Sequence, residues 1–191
     1  MTPRIVLFTR FPTPGAAKTR LIPALGADGA AALHGRLTER TLAVLREAGL
    51  PIEVRITGAP AMDFCSWLGP DLAYAEQGEG DLGQRLLRAA SPYPVLFVGT
   101  DAPDLTPEHV REAAAALAAS PVAIGPAEDG GYWLLGLAAP HPFLFNDVPW
   151  GTDAVFAETI ARLQARGIKP ALLPILADLD RPEDLARWPG L

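Results

Sequence analysis

The sequence predicts an α/β fold with a mainly parallel central sheet flanked by helices. Short apolar runs alternate along the chain with longer amphipathic segments, which is the pattern of strands joined by crossover helices. Glycine and proline separate most of these segments, as they do in turns. At 191 residues the chain is long enough to bury a full core, so we expect a single domain over 1–191.

Strands and helices alternate through the first half of the chain. We expect, in order, a strand at 5–8, a helix from near 28 to 48, a strand at 51–57, and short helices at 62–68 and 82–90. The first strand is a continuous apolar run, whereas the second alternates apolar and charged side chains, as a half-exposed strand does. Gly49 is a common helix terminator and Asp81 a favoured N-cap.

The second half continues the alternation. We expect strands at 94–99, 122–125, 132–137 and 171–176, and helices at 107–119 and 153–166. The run at 94–99 is apolar throughout, which predicts a central strand buried on both faces. Thr106 and Pro107 form a favoured helix start, and Asp180 before Pro182 predicts the N-cap of a final helix.

Composition narrows the class of protein. The net charge of −6 argues against a nucleic-acid partner, which would require a basic face. No run approaches the roughly 18 apolar residues of a membrane span, and no signal-peptide pattern stands at the N-terminus. Cys65 is the only cysteine, and His34, His109 and His141 are scattered, which argues against disulfides and a zinc site. We expect a cytoplasmic protein.

A basic loop follows the first predicted strand. Arg10, Lys18 and Arg20 surround a break in the backbone that contains Gly15 and two prolines. A strand leading into such a loop is well suited to hold a phosphate. The glycine spacing is not that of a P-loop, so side-chain charge would contribute more than backbone amides. The alternative is a solvated turn with ordinary surface charges.

Two acidic segments could hold a metal. Asp101 directly follows the central strand, where open α/β sheets place their ligands, and carboxylates suit Mg²⁺ or Mn²⁺. The alternative is that Asp101 caps the loop. For the nearby Asp104 we favour a structural role, in a turn before the next helix. Asp178 and Asp180 form the second segment, and by spacing alone Asp180 is expected to cap a helix.

An acceptor site is the third hypothesis. Asp129, Gly130 and Gly131 lie between two strands, where glycines permit close approach of a ligand. An Asp-Gly pair is equally typical of a hairpin turn without function. Trp150 could form the wall of an acceptor pocket or simply fill the core.

Residues 78–83 fit the pattern Gly-x-Gly-x-x-Gly, so dinucleotide binding must be considered. Two observations argue against it: the motif lies in mid-chain rather than after the first strand, and Glu79 and Asp81 would repel a pyrophosphate. Arg85, one helical turn further on, could still face a nucleotide site.

Taken together, the segments resemble a known bacterial group of glycosyltransferases. The resemblance rests on residues 8–21, on Gly-Thr-Asp-Ala-Pro-Asp-Leu at 99–105, on Gly-Pro-Ala-Glu-Asp-Gly-Gly-Tyr at 125–132, and on Trp-Gly-Thr-Asp at 150–153. That group is similar to 2-phospholactate guanylyltransferase and, more distantly, to molybdenum cofactor guanylyltransferase. The segment at 178–185 resembles an end motif of several nucleotidyltransferases. The resemblance implies the nucleotide-diphospho-sugar transferase (GT-A) fold.

The resemblance also implies roles for individual residues. Asp101 and Asp180 would bind the metal, and the loop containing Arg10, Gly15, Lys18 and Arg20 would hold the nucleotide. Lys18, Arg20 and Asp101 would then act in catalysis. The chain departs from the pattern in its proline-rich first loop and in Arg181, which replaces the usual threonine.

We therefore expect a transferase that depends on Mg²⁺ or Mn²⁺ and uses an activated nucleotide. One version transfers a nucleotidyl group from a nucleoside triphosphate to a phosphorylated acceptor. The other transfers a sugar from a nucleotide sugar to a small-molecule acceptor. No residue stands out as a general base, which mildly favours the nucleotidyl version because a phosphate acceptor needs none. The alternative is a non-catalytic, nucleotide-binding regulatory module with the same fold.

Overall fold

Seven strands form one sheet in a computed structural model that describes all residues, Met1–Leu191. They are β1 (Arg4–Arg10), β2 (Ile52–Thr57), β3 (Ala73–Glu76), β4 (Val95–Val98), β5 (Val122–Pro126), β6 (Tyr132–Leu137) and β7 (Ala171–Leu172). The order across the sheet is β3-β2-β1-β4-β6-β5-β7. All pairings are parallel except the two that involve β6, so the predicted, mainly parallel sheet is confirmed.

Five α-helices cover the sheet. They are α1 (Ile22–Ala48), α2 (Ala61–Leu68), α3 (Leu82–Ala89), α4 (Pro107–Ala116) and α5 (Val155–Gln164). Short 3-10 turns occupy Thr19–Leu21, Pro142–Leu144 and Pro182–Arg187. None of the helices combines the length and apolarity that crossing a membrane requires.

The core lies in two layers on opposite faces of the sheet. Ile5 and Leu7 of β1 point into a cluster with α1, α2 and α4, whereas Val6 points into a cluster with α3 and α5. This alternation follows from the two-residue period of a strand. Both faces are covered, which explains why β4 is apolar at every position.

The order in which strands are added to the sheet reverses at β1, and this reversal creates a crevice. From β1 the chain adds β2 and β3 on one side and then returns to add β4 on the other. The carboxyl ends of these four parallel strands therefore share one edge, with a crevice between β1 and β4, where doubly wound sheets bind ligands.

The strand predictions were wrong in two places. The edge strand β3 was missed because the four residues Ala-Tyr-Ala-Glu are half exposed and form no apolar run. The strand expected at 171–176 ends after Leu172, and only a single bridge joins Leu176 to Ala127. Pro174 interrupts it, since proline cannot donate to a strand ladder.

Some helix boundaries also differ from the predictions. α1 is bounded at Ile22, but Gly26 (φ 72°, ψ 169°) is not helical and divides it into a short first turn and a long helix. The long helix begins directly after Gly26, close to the start expected near 28. α4 ends at Ala116 rather than near 119, and α5 spans Val155–Gln164 rather than 153–166. Asp81, Thr106 and Gly49 perform the capping roles predicted for them.

Candidate functional site

A first pocket of about 460 Å³ opens at the carboxyl ends of β1 to β4. It is lined by sixteen side chains, most of them polar or charged: Phe8, Thr9, Arg10, Ala16, Ala17, Lys18, Thr19, Arg20, His34, Thr57, Gln77, Leu82, Arg85, Thr100, Asp101 and Asp180. Every charged residue predicted for the nucleotide and metal sites is among them. Gly15 is not, and its positive φ of 78° shapes the loop instead.

The centre of this pocket is a group of four charged side chains, Lys18, Arg20, Asp101 and Asp180, here called the charged centre. The Lys18 Nζ lies 2.6 Å from Asp101 Oδ1 and 3.4 Å from Asp180 Oδ1. The Arg20 Nη1 lies 2.6 Å from Asp180 Oδ2. The loop after β1, the loop after β4 and the segment before the last turn therefore meet at one point.

Electrostatics keep Lys18 and Asp101 ionised. Burial disfavours the ammonium of Lys18, but the charges of Asp101 and Asp180 outweigh burial and raise its pKa above the ordinary value. Burial likewise opposes ionisation of Asp101, but the charge and hydrogen bond of Lys18 lower its pKa below the ordinary value. The Lys18 side chain is 4% exposed and that of Asp101 is 51% exposed, so Asp101 remains open to a ligand.

Asp180 is not a helix cap, which corrects the prediction from spacing. The Asp184 Oδ2 accepts the backbone N–H groups of Asp180 and Arg181, at 3.0 and 2.7 Å. The turn they begin is a 3-10 helix rather than an α-helix. The carboxylate of Asp180 is consequently free to face Lys18 and Arg20 in the charged centre.

Several polar residues of the first pocket were missed by sequence reasoning, and Gln77 is one of them. The Gln77 Nε2 donates to the carbonyls of Thr9 and Arg55, and its Oε1 accepts from Arg85 Nη1 at 3.3 Å. Gln77 thereby joins the ends of β1 and β2 and holds Arg85 beside the pocket. The signal in the sequence was a polar residue immediately before the glycines at 78–83.

His34 is another missed residue. It is 7% exposed, and its Nε2 lies 2.9 Å from the carbonyl oxygen of Arg10. Burial lowers its pKa, which favours the neutral imidazole, and the ring supports the start of the basic loop. A histidine on the apolar side of α1, between Leu33 and Leu37, was the available signal.

A second pocket of about 280 Å³ adjoins the first. Its sixteen lining residues are Arg20, Leu82, Gly99, Asp101, Ala102, Ala127, Asp129, Gly131, Tyr132, Trp133, Trp150, Gly151, Thr152, Val155, Asp178 and Asp180. Asp129, Gly131 and Trp150, predicted for an acceptor site, lie here. Trp150 packs edge-on against Tyr132, with ring centroids 6.3 Å apart, and forms part of the wall.

Gly130 does not line the second pocket. A Cβ at this position would lie 2.1 Å from the carbonyl oxygen of Asp153, and its φ is 87°. Its own carbonyl accepts the N–H of Phe156 at 2.8 Å, which joins the hairpin between β5 and β6 to the start of α5. The Asp-Gly turn is therefore real, and Gly130 is required for packing.

An acidic pair stands in the second pocket. The backbone N–H of Asp129 donates to Asp178 Oδ1 at 3.3 Å. Burial, and then the negative charge of Asp129, raise the pKa of Asp178 to about 6. The second pocket therefore disfavours the charged form of the Asp178 carboxyl.

The glycine motif at 78–83 serves packing between elements. It lies after β3 rather than β1, and Asp81 caps α3 by accepting the N–H of Gln84. At Gly83 a Cβ would lie 2.1 Å from the carbonyl oxygen of Phe145 and 2.6 Å from Trp150 Nε1. The absence of a side chain at Gly83 lets α3 approach the wall of the second pocket.

The carboxylates of the charged centre fit a hard divalent cation. Asp101 and Asp180 offer oxygen ligands of the kind Mg²⁺ and Mn²⁺ prefer. No three His, Cys, Asp or Glu side chains are grouped so that they could hold a metal by themselves. Mg²⁺ is commonly held by one or two carboxylates, with substrate phosphates and water completing the shell, so two carboxylates in a pocket lined by cationic side chains suit it.

Comparisons with known proteins support this fold. The chain belongs to the family DUF2064, described as an uncharacterized protein conserved in bacteria, which matches residues 41–152. A protein from Desulfovibrio desulfuricans G20 described as a candidate nucleotide-diphospho-sugar transferase is 32% identical, with a TM-score of 0.88. The match covers 95% of this chain and 84% of that protein. No curated protein sequence matches.

More distant structures share the fold. A nucleotidyl transferase from Methanothermobacter is 18% identical with a TM-score of 0.61, over 97% of this chain and 95% of that one. Glucosyl-3-phosphoglycerate synthase from Mycobacterium tuberculosis, bound to Mn²⁺, UDP and glucosyl-3-phosphoglycerate, is 12% identical with a TM-score of 0.57, over 97% and 75%. The predicted nucleotide-diphospho-sugar transferase fold is confirmed.

Proposed function

We propose that the protein is a metal-dependent transferase that binds an activated nucleotide in the first pocket and an acceptor in the second. One observation carries the proposal: Arg20, Asp101 and Asp180 line both pockets. Molecules bound in the two pockets would therefore meet at the charged centre. Such a meeting point is what group transfer between two substrates requires.

The first pocket has the charge of a phosphate site. Four cationic side chains line it, from Arg10, Lys18, Arg20 and Arg85, against the two carboxylates of the charged centre. A nucleoside diphosphate or triphosphate would complement this positive excess. Arg20 and Arg85 can also offer planar, multiply donating guanidinium groups to phosphate oxygens.

The charged centre has the parts needed to stabilise a departing phosphate. Asp101 and Asp180 would hold the divalent cation, which neutralises charge on phosphate oxygens when it is bound. Lys18 and Arg20 would donate to the oxygens that gain negative charge as the bond breaks. The Lys18 ammonium lies at the charged centre, where it donates to the carbonyl of Leu179 at 2.5 Å.

The second pocket favours an uncharged acceptor. Besides Arg20, Asp101 and Asp180 of the neutral charged centre, its lining adds two carboxylates, from Asp129 and Asp178, and no further cation. This balance would repel a phosphorylated acceptor. A hydroxyl compound packed against Trp150 would suit it better, which favours the glycosyl version of the reaction.

In that version the acceptor oxygen bonds to the anomeric carbon of the sugar, and the bond from that carbon to the diphosphate breaks. The nucleoside diphosphate leaves with the electron pair, and the hydroxyl proton needs an acceptor. Asp178, with its raised pKa of about 6, and its neighbour Asp129 stand in the right pocket to receive it. Sequence reasoning had found no general base.

The nucleotidyl version is the second candidate. It is supported by the resemblance to the guanylyltransferases, which stays a prediction. In it, an acceptor phosphate oxygen bonds to the α-phosphorus of a nucleoside triphosphate and pyrophosphate leaves. The regulatory module is the third candidate and would bind a nucleotide without turning it over.

One panel of substrates separates the three. The purified protein would be incubated with each common nucleotide sugar or nucleoside triphosphate, with Mg²⁺ or Mn²⁺ or EDTA, and with glycerol, free sugars or their phosphates as acceptors. Phosphorus NMR would identify the leaving group. We expect metal-dependent release of a nucleoside diphosphate, faster with uncharged acceptors. Pyrophosphate release would establish the nucleotidyl version, and metal-independent binding without turnover would establish the module.

A further inference from the structure

Lys18 occupies an unusual position for a residue expected to bind phosphate, because its ammonium is held by the carboxylates expected to bind metal. We propose that Lys18 competes with the divalent cation for Asp101 and Asp180, so that the metal binds tightly only when a nucleotide draws the ammonium away. The inference rests on the proposed function in placing the metal at these two carboxylates.

Contacts support the competition. The Lys18 Nζ lies 2.6 Å from Asp101 Oδ1, 3.4 Å from Asp180 Oδ1 and 2.5 Å from the carbonyl of Leu179. These are oxygens that a hard cation would use. The other oxygen of Asp180 is held by Arg20. A metal ligated by both carboxylates must therefore displace Lys18 and Arg20 from them, or share the carboxylate oxygens with these two cations.

Lys18 also has an unusual backbone conformation and a buried side chain. Lys18 has φ 48° and ψ 46°, a left-handed conformation that is uncommon for a residue other than glycine. That conformation precedes the turn at Thr19–Leu21. Only 4% of the Lys18 side chain is exposed, so solvent does little to screen its charge from the two carboxylates.

Charge balance gives the consequence. The charged centre pairs two cationic with two anionic side chains and is neutral as it stands. A divalent cation entering alone would leave an excess of two positive charges beside a buried ammonium. Nucleotide phosphates would remove that excess and offer Lys18 new partners. Metal and nucleotide should therefore each strengthen the binding of the other, by the same factor.

The deciding experiment measures Mn²⁺ binding to the whole protein in the absence of any nucleotide, by electron paramagnetic resonance of the free ion. Lys18→Gln removes the charge while its amide can still donate to the carbonyl of Leu179. Lys169→Gln is the matched control, because Lys169 is the only other lysine and lies exposed outside both pockets. Circular dichroism would verify folding, and Lys18→Met would replace a variant that does not fold.

We expect Lys18→Gln to bind Mn²⁺ more tightly than the parent by about 5- to 150-fold, the usual range of coupling between two sites. Lys169→Gln should match the parent. Adding Asp101→Asn to Lys18→Gln should abolish the gain, which would locate the ion at the charged centre. Unchanged or weaker Mn²⁺ binding in both Lys18 variants, or a gain that survives Asp101→Asn, would overturn the competition.

The same measurements separate this inference from the proposed function. Tighter Mn²⁺ binding in Lys18→Gln, together with a parent protein that turns over no nucleotide in the substrate panel, would retain the competition and refute the transferase. Metal-dependent turnover in the parent, with no gain in Lys18→Gln, would retain the transferase and refute the competition.

Discussion

Asp180 and Asp184 are four residues apart, yet the structure gives them separate tasks that a pair of variants can distinguish. The Asp180 carboxylate faces Lys18 and Arg20, whereas the Asp184 carboxylate caps the last turn. We predict that Asp180→Asn loses metal-dependent nucleotide binding and that Asp184→Ala keeps it.

The two stability costs should be small and alike. Asp180→Asn weakens an ion pair with the exposed Arg20, a contact that contributes roughly 0.2–1 kcal/mol, and a longer contact with Lys18, which keeps Asp101 as its partner. Asp184→Ala removes a cap that contributes about 0.5–2 kcal/mol. For a chain of this length 1 kcal/mol shifts the melting temperature by roughly 2–4 °C. Each variant should therefore melt a few degrees below the parent.

Metal affinity is the decisive measurement. Thermal melting would be recorded with and without Mn²⁺ and the nucleotide selected by the substrate panel. The ligand-induced rise in melting temperature should vanish in Asp180→Asn, because an amide lacks the charge that a divalent cation prefers, and should persist in Asp184→Ala. Equal loss in both variants would show that the position of the segment, rather than the Asp180 carboxylate, matters. A native response in Asp180→Asn would remove Asp180 from the metal site.

Two further predictions concern the second pocket. Asp178→Asn should raise the melting temperature above pH 6 and leave it unchanged below about pH 4. The pKa of Asp178 is about 6 in the folded protein and near the ordinary value in the unfolded chain. As pH rises, the carboxyl therefore ionises first in the unfolded chain, and this destabilises the parent but not the variant. A gain independent of pH across a melting series would contradict this. Gly83→Ala should cost about 1–3 kcal/mol through contact with Phe145, whereas Gly190→Ala, in open space, should be neutral in urea unfolding. Equal unfolding midpoints for the two glycine variants would refute the packing argument.

Elements with a strong local signal were predictable. The continuous apolar run of β4 and the capped starts of α3 and α4 each carry their evidence within a few residues. The strand β3 has no such signal, because its pairing with β2 at the sheet edge depends on backbone hydrogen bonds rather than burial. Helix and strand existence thus followed from sequence more readily than the edges of the sheet did.

The site was predictable in its charges but not in its pairings. Lys18, Asp101 and Asp180 were each singled out locally, yet their contact joins residues up to 162 positions apart. The sequence offers two good capping acceptors in this segment, Asp180 and Asp184. Only the fold shows that Asp184 is the one that accepts the backbone N–H groups. Gln77 was missed because its hydrogen bonds connect β1, β2 and Arg85, and no local sequence pattern indicates contacts between such distant segments.

The opposite charges of the two pockets have a common structural origin. The cations of the first pocket come from the end of β1, the loop after it and α3, on one side of the crevice. The carboxylates of the second pocket come from the hairpin after β5 and from the segment at 178–180, on the other side. Asp101 lies near the start of the loop after β4, the strand between these two halves, and lines both pockets. This arrangement would orient an anionic donor in the first pocket and a neutral acceptor in the second before any bond forms or breaks.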